Sequence, residues 1–422
     1  MFLCLSAVSP ALFSGDLPAL PDANRSANRG DYLTVKIAVM GPGDELYLWW
    51  GHIGLVVEDA LSAESRFYDW GVFSFENKNF FLNFAFGRLL YSCAVSTVEY
   101  NINRNVRTNR DVTVYTLDLP PEKKLEIFRF AENNVLPENR DYWYHHFKDN
   151  CATRIRDIID MATSGAFRAR YGDAPGRLSL RGHVRRHTWS SPFWDWILNF
   201  WMGRGIDEPI TVWDEMFLPS EIAERISGFR YTDSSGAERI LVSSVEVLNT
   251  SRGRPPVIET PKASWPGGLA LGIVLAAVAV LLAAGTKKKT LEKPFAKLLG
   301  IYQTLAGLFF GAAGFVLFFM MFFTNHDYTW RNGNVVFVNP LLLAAVPLGL
   351  ILAFTKSEKK RRVCGLLLKI LWTYVFLGGL FVMALNRVPG LYQRNQTTFA
   401  LVLPLAFALS CIPGLFPRRA SC

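Results

Sequence analysis

The last third of the chain restricts its fold most. From residue 266 onward, apolar runs alternate with short polar or basic breaks. A hydrocarbon core of about 30 Å is crossed by ~20 apolar helical residues, because each backbone amide must be satisfied within its own segment. Five runs qualify, at about 267–285, 298–323, 338–355, 364–385 and 399–416. They predict an all-α membrane bundle of about five helices over residues 266–422. Lys287-Lys288-Lys289 follows the first run, Lys359-Lys360-Arg361-Arg362 the third, and Arg418-Arg419 the fifth. Lys and Arg at span ends mark the cytoplasmic side. The residues before 266, and the polar loops 324–337 and 386–398, then lie on the opposite, exported side.

This placement accounts for much of the net charge of +9. No platform of interleaved aromatic and basic residues accompanies the charge, so nucleic acid is not an expected partner. Residues 1–20 carry a short apolar stretch and small residues from Ala11 to Gly15 but no basic start, and read as a signal-like segment. Of six cysteines, only Cys93 and Cys151 fall in the exported part. One bridge between them is the structural alternative to a reactive thiol.

Residues 21–175 read as mixed α and β. Tyr32 to Met40 alternates as a strand, followed by Pro42-Gly43-Asp44 as a turn, then by strands from His52 to Glu58 and from Arg66 to Gly71. Leu89 to Val98 and Val112 to Leu117 add two more. Pro120-Pro121 opens a helix to about Asn134, and a second runs from Asn150 to about Thr163. Residues 176–265 form an interfacial or linker region with less regular patterning. Within it, Trp189 to Gly203 carries four tryptophans and two phenylalanines. That suits a helix at the lipid interface, or one buried between the domains.

The constellation that carries chemistry is one His and one Cys. His52 stands where a loop enters a strand, and Cys151 where a loop enters a helix. A thiol in a first helical turn faces the positive end of the macrodipole, which favours a thiolate nucleophile. A nearby imidazole exchanges the proton, and Asn150 as N-cap fixes the helix start. His145 and His146 are rival bases, close to Cys151 in sequence. Asp69, on the strand after His52, either orients the imidazole or caps the turn before Gly71. His183 and His187, among Arg181, Arg185 and Arg186, read as a basic patch. The loop from Thr324 to Asn339 carries His326, Asn332 and Asn334. It reads either as a site for a lipid headgroup or substrate end, or as a solvated hairpin with aromatic anchors.

These residues fall in a familiar order. Gly51-His52, Tyr68-Asp69-Trp70-Gly71-Val72-Phe73, Phe84, Gly87, Tyr91, and the run from Tyr144 to Asp157 containing Asn150-Cys151-Ala152-Thr153-Arg154 resemble the periplasmic domain of the Lnb-type lipoprotein N-acyltransferases. Pro192-Phe193-Trp194, Gly203, Asp207, Met216-Phe217-Leu218-Pro219, and His326 with Asn332, Asn334 and Asn339-Pro340-Leu341 look like the same family. The likeness covers nearly the whole chain.

The resemblance implies an α+β, permuted papain-like exported domain, similar to NlpC-type proteins and lecithin:retinol acyltransferase, followed by the all-α membrane bundle. It implies Cys151 as nucleophile, His52 as base and Asp69 in the place of the orienting group. The residues expected to contact substrate are His326, Asn332, Asn334, Asn150 and Arg154. The implied activity moves an acyl chain from a phospholipid to the α-amine of a lipidated lipoprotein cysteine, at the inner membrane, without metal or organic cofactor. The rival readings are a membrane-tethered cysteine peptidase or cell-wall amidase on the same fold, and a non-enzymatic envelope scaffold.

Overall fold

A computed structural model describes residues 29–73, 79–259, 261–288 and 290–412. The signal-like segment, Lys289 and Arg418-Arg419 lie outside these residues. The chain divides into two compact units, Met1–His183 with Pro209–Val257, and Val184–Glu208 with Ile258–Cys422.

The first unit is built on an antiparallel sheet. Its strands are β1 (Leu33–Met40), β2 (His52–Asp59), β3 (Glu64–Val72), β4 (Leu90–Thr97), β5 (Val112–Leu117), β6 (Asp141–Trp143) and, after the hairpin of β7 (Arg230–Thr232) with β8 (Glu238–Ile240), β9 (Val242–Asn249). The order across the large sheet is β6-β4-β3-β2-β1-β5-β9. Alternation along β1 sends Leu33, Val35 and Ile37 to one face and Ala38 and Met40 to the other. The first face packs against helices α1 (Pro121–Asn134) and α2 (Cys151–Ala162), the second against Val98, Ile102 and Val106 of a short helix. Both faces are therefore covered, and β2 is buried along most of its length.

Two features aim this sheet. Met40 pairs with His52, so the loop between β1 and β2 must close within eleven residues. Gly51 takes φ +79° there, with a backbone oxygen 2.8 Å from where its Cβ would stand. On α1, Glu132 accepts from both Tyr68 and Arg66 of β3, the latter at 2.7 Å. This ties the strand that carries Asp69 to a helix in the core.

The second unit is helical. It holds α4 (Pro192–Trp201), preceded by α3 (Leu180–Thr188), whose residues straddle the boundary between the units. It continues with α5 (Trp265–Gly285), α6 (Glu292–Phe323), α7 (Ala345–Phe354), α8 (Glu358–Leu385) and α9 (Gln396–Cys411). Among the described residues four segments are long and apolar enough to cross a membrane, namely Trp265–Gly285, Glu292–Phe323, Gly333–Phe354 and Glu358–Leu385. The fifth expected span appears as α9, an apolar helix of 16 described residues, about 24 Å at 1.5 Å each. It packs beside α5 with both N-termini at one end, where Ser264 Oγ and Thr397 Oγ1 are 2.8 Å apart. Phe200 belongs to this unit's core and Trp196 and Trp201 pack on it, while Phe193 is exposed, so α4 is amphipathic within its own unit.

Two sequence expectations change here. His183 is fully buried and Arg181, Arg185, Arg186 and His187 are at most 8% exposed, so no basic surface patch forms. Acids pair with three of them: Glu215 with His183 at 3.0 Å, Asp195 with Arg185 at 3.4 Å, Glu259 with Arg186 at 2.6 Å. A charge is buried only when paired. The loop after α6 is not a solvated hairpin either, since Thr329, Asn332 and Asn334 are at most 1% exposed.

Candidate active site

His52 is the first residue of β2 and Asp69 lies on β3. The β2–β3 register places Leu55 opposite Tyr68, which continued to the strand end sets Asp69 diagonally across from His52. Diagonal neighbours on one face are within reach of long side chains. His52 Nε2 and Asp69 Oδ1 are 2.8 Å apart. The Cys151 side chain hydrogen-bonds the same ring. With Nε2 given to Asp69, the nitrogen left for sulfur is Nδ1. Burial opposes a charge on His52, but the Asp69 carboxylate and the Cys151 sulfur outweigh it, and the ring is pushed up to about 10.

Gly71 sits in the angle between the three groups. A Cβ there would stand 3.3 Å from His52 Cε1, 3.7 Å from Asp69 Oδ1 and 3.8 Å from Cys151 Cβ, and its φ is +153°. A side chain there would be strained by the backbone conformation and would press on the imidazole by a few tenths of an ångström.

Cys151 opens α2 and is 8% exposed. Asn150 builds the helix start. Its Oδ1 accepts from the N–H groups of Ala152 and Thr153, and Thr153 Oγ1 accepts from the Asn150 N–H, a reciprocal capping box. The Asn150 amide donates to the carbonyls of His146 and Phe217 at 2.8 and 3.0 Å. The Cys151 N–H keeps no partner among the described residues.

The other expected site residues separate. Arg154 holds Asp149 through Nε and Nη2 at 2.6 and 2.8 Å and lies over the Tyr142 ring. His145 Nδ1 accepts from the backbone N–H groups of Phe147 and Lys148, so it organises the loop before Cys151. His326, Asn332 and Asn334 belong to the second unit. His326 is 5% exposed and its Nδ1 is 2.7 Å from the Tyr328 hydroxyl. Asn332 donates to the carbonyls of Phe200 and Trp201 and accepts from Gln393; Asn334 donates to the Phe200 carbonyl and accepts from Asn395. Cys93 and Cys151 are both free thiols, so the bridge between them is not formed. Burial, then the Asp69 charge, holds the Cys93 thiol up.

Sequence reasoning passed over two supports. The segment Trp213 to Pro219 backs the site: the Phe217 carbonyl anchors Asn150, the Trp213 carbonyl anchors Arg156 of α2 at 3.0 Å, and Pro219 lies against Gly51. Glu215 secures that segment by accepting from His183 and from the N–H groups of Arg177 and Leu178. Burial would raise the Glu215 carboxyl, but these bonds hold it below its ordinary value. The second support is a row of rings. Burial, then the nearness of Cys151, holds the Tyr91 hydroxyl up, and its ring stacks on Tyr144 at 4.2 Å between centroids, with Phe73 tilted against it at 5.0 Å. Met216 to Pro219, Phe73, Tyr91 and Tyr144 stand in the motifs that carry the resemblance, without a stated role; Trp213 and Glu215 stand outside those motifs.

Two family models match the chain in order: the Lnb N-terminal periplasmic domain over residues 20–181, and the Lnb transmembrane domain over residues 266–409. No curated protein and no solved structure matches it. The periplasmic domain and the four apolar spans make it a multi-pass membrane protein. The chain belongs to the Lnb-type family.

Proposed function

We propose that this protein is a lipoprotein N-acyltransferase of the inner membrane that works through a thioester on Cys151. One observation carries the reading: His52 is held between Asp69 and Cys151, and Cys151 opens a helix whose first N–H has no partner among the described residues. Family membership sets this thiol site in a lipoprotein-processing context.

In this mechanism His52 takes the Cys151 thiol proton and the sulfur attacks the ester carbonyl of a phospholipid. The Cys151 N–H supplies a donor for the oxyanion as it develops. The acyl C–O bond breaks, the thioester forms, and His52 returns its proton to the departing glycerol oxygen. The α-amine of a lipidated cysteine then attacks the thioester carbonyl. Its proton passes to His52, the C–S bond breaks, and the sulfur regains a proton as the amide leaves. Asp69 holds the ring and its charge throughout. Tyr91, Tyr144 and Phe73 offer an apolar wall for the acyl chain. Asn150 and Arg154 act by shaping the helix start. His326, Asn332 and Asn334 serve the substrate through the fold of their loop.

The test supplies purified full-length protein with a phospholipid and a synthetic diacylglyceryl-cysteine peptide. The reading expects the peptide to gain an acyl chain on its amine, with lysophospholipid as co-product. Cleavage of a peptide or muropeptide substrate without acyl transfer would replace it with the peptidase or amidase reading. Inertness toward all three would favour the scaffold.

A further inference from the structure

The second unit contains a cavity of about 430 Å³ at the shared N-terminal end of α5 and α9. Arg185 and Arg394 line it, and no carboxylate does. Arg185 is anchored, donating to the Lys262 carbonyl at 2.7 Å and paired with buried Asp195 at 3.4 Å, which leaves Arg394 as the charge for a ligand. The Arg394 guanidinium is exposed and has no side-chain partner among the described residues. The indole N–H of Trp196, another lining residue, is buried without an acceptor.

The helix ends facing this cavity are also unfilled. Neither N-cap, Ser264 nor Asn395, makes a side-chain capping bond. The N–H groups of Gln396, Thr397 and Thr398 have no partner among the described residues, and all three residues line the cavity. Unpaired donors at a helix start, with a free guanidinium and an orphan indole N–H, are complementary to the oxygens of a phosphate. Trp265 and Tyr392 at the rim suit the depth of lipid headgroups. The two helices that begin here are apolar, which places the cavity where a headgroup sits above its acyl chains.

We propose that this cavity binds the phosphate of a lipid headgroup. The site is independent of the thiol chemistry, and Cys151→Ser protein would bind equally. The experiment is native mass spectrometry of the full chain released from detergent micelles. The probes are phosphatidylglycerol, diacylglycerol as its phosphate-free counterpart, and inorganic phosphate. Wild type is expected to retain phosphatidylglycerol and not diacylglycerol. Arg394→Gln and Trp196→Phe are each expected to weaken retention, Arg394→Gln by about tenfold for the loss of a charge-assisted contact. Arg387→Gln, an exposed arginine outside the cavity, serves as control and should match wild type. Equal retention by Arg394→Gln, or equal retention of diacylglycerol, would overturn the proposal. Inorganic phosphate binding as tightly as the lipid would reassign the site to a soluble anion.

Discussion

Replacing Asp69 by Asn separates charge from orientation. The amide oxygen of Asn still accepts from His52 Nε2, now 2.8 Å from Asp69 Oδ1, but the negative charge is gone. His52 is pushed up to about 10 from an ordinary 6.5. An opposite charge in contact shifts a pKa by about 1–3 units, so the variant ring should titrate at roughly 7–9. Each unit lost corresponds to about 1.4 kcal/mol of stabilisation of the charged ring. The sign follows from the raised value. The stabilisation from His52 is full below pH 6.5, fades as pH rises, and is gone above about 10. The variant should therefore be less stable than wild type at acidic and neutral pH, with the difference vanishing at high pH. The assay is ¹³C NMR of labelled histidine Cε1 in micelles, with the His52 resonance assigned by its loss in His52→Ala. The alkaline limb of kcat/KM for acyl transfer should move down with it. An unshifted titration in Asp69→Asn would refute the claim that Asp69 holds this charge.

Other consequences follow from the same geometry. Gly71→Ala places a methyl 3.3 Å from His52 Cε1 in a strained backbone conformation, and transfer should fall by about 10²-fold for so small a displacement; a rate near wild type would show the approach is not tight. Asn150→Ala removes the N-cap and the anchor to Phe217, so thermal denaturation should show a loss of about 0.5–2 kcal/mol, and activity should drop with it. His326→Ala should raise KM for phospholipid and leave kcat little changed. If activity toward phospholipid is unaltered, the loop after α6 has no part in the substrate site.

Much of this was legible because strand period and helix capping are local. The alternation of YLTVKIAVM gave β1, and Asn150 before Cys151 gave the start of α2. The nearness of His52 to Asp69 followed from two successive antiparallel strands. What escaped depends on partners far apart in sequence. His183 looked like part of a basic surface because Glu215, which neutralises it, comes 32 residues later. One of the two readings of the loop after α6 left its asparagines solvated, yet Asn332 and Asn334 are buried, with the Phe200 carbonyl and Gln393 satisfying them. β9 was passed over because its outward residues are exposed, including Val245 and Val247, and its pairing with β5 spans more than a hundred residues. Apolar length predicted five spans; among the described residues four segments are long enough, and the fifth expected span is the shorter helix α9, packed beside α5.

The central claim is a covalent acyl intermediate on one sulfur. Purified protein would be exposed to phospholipid vesicles and weighed intact, wild type beside Cys151→Ser and His52→Ala. The account predicts one added fatty-acyl mass on wild type, removed by hydroxylamine and absent from both variants. No adduct on wild-type protein whose Cys151 still reacts with a thiol reagent would contradict it.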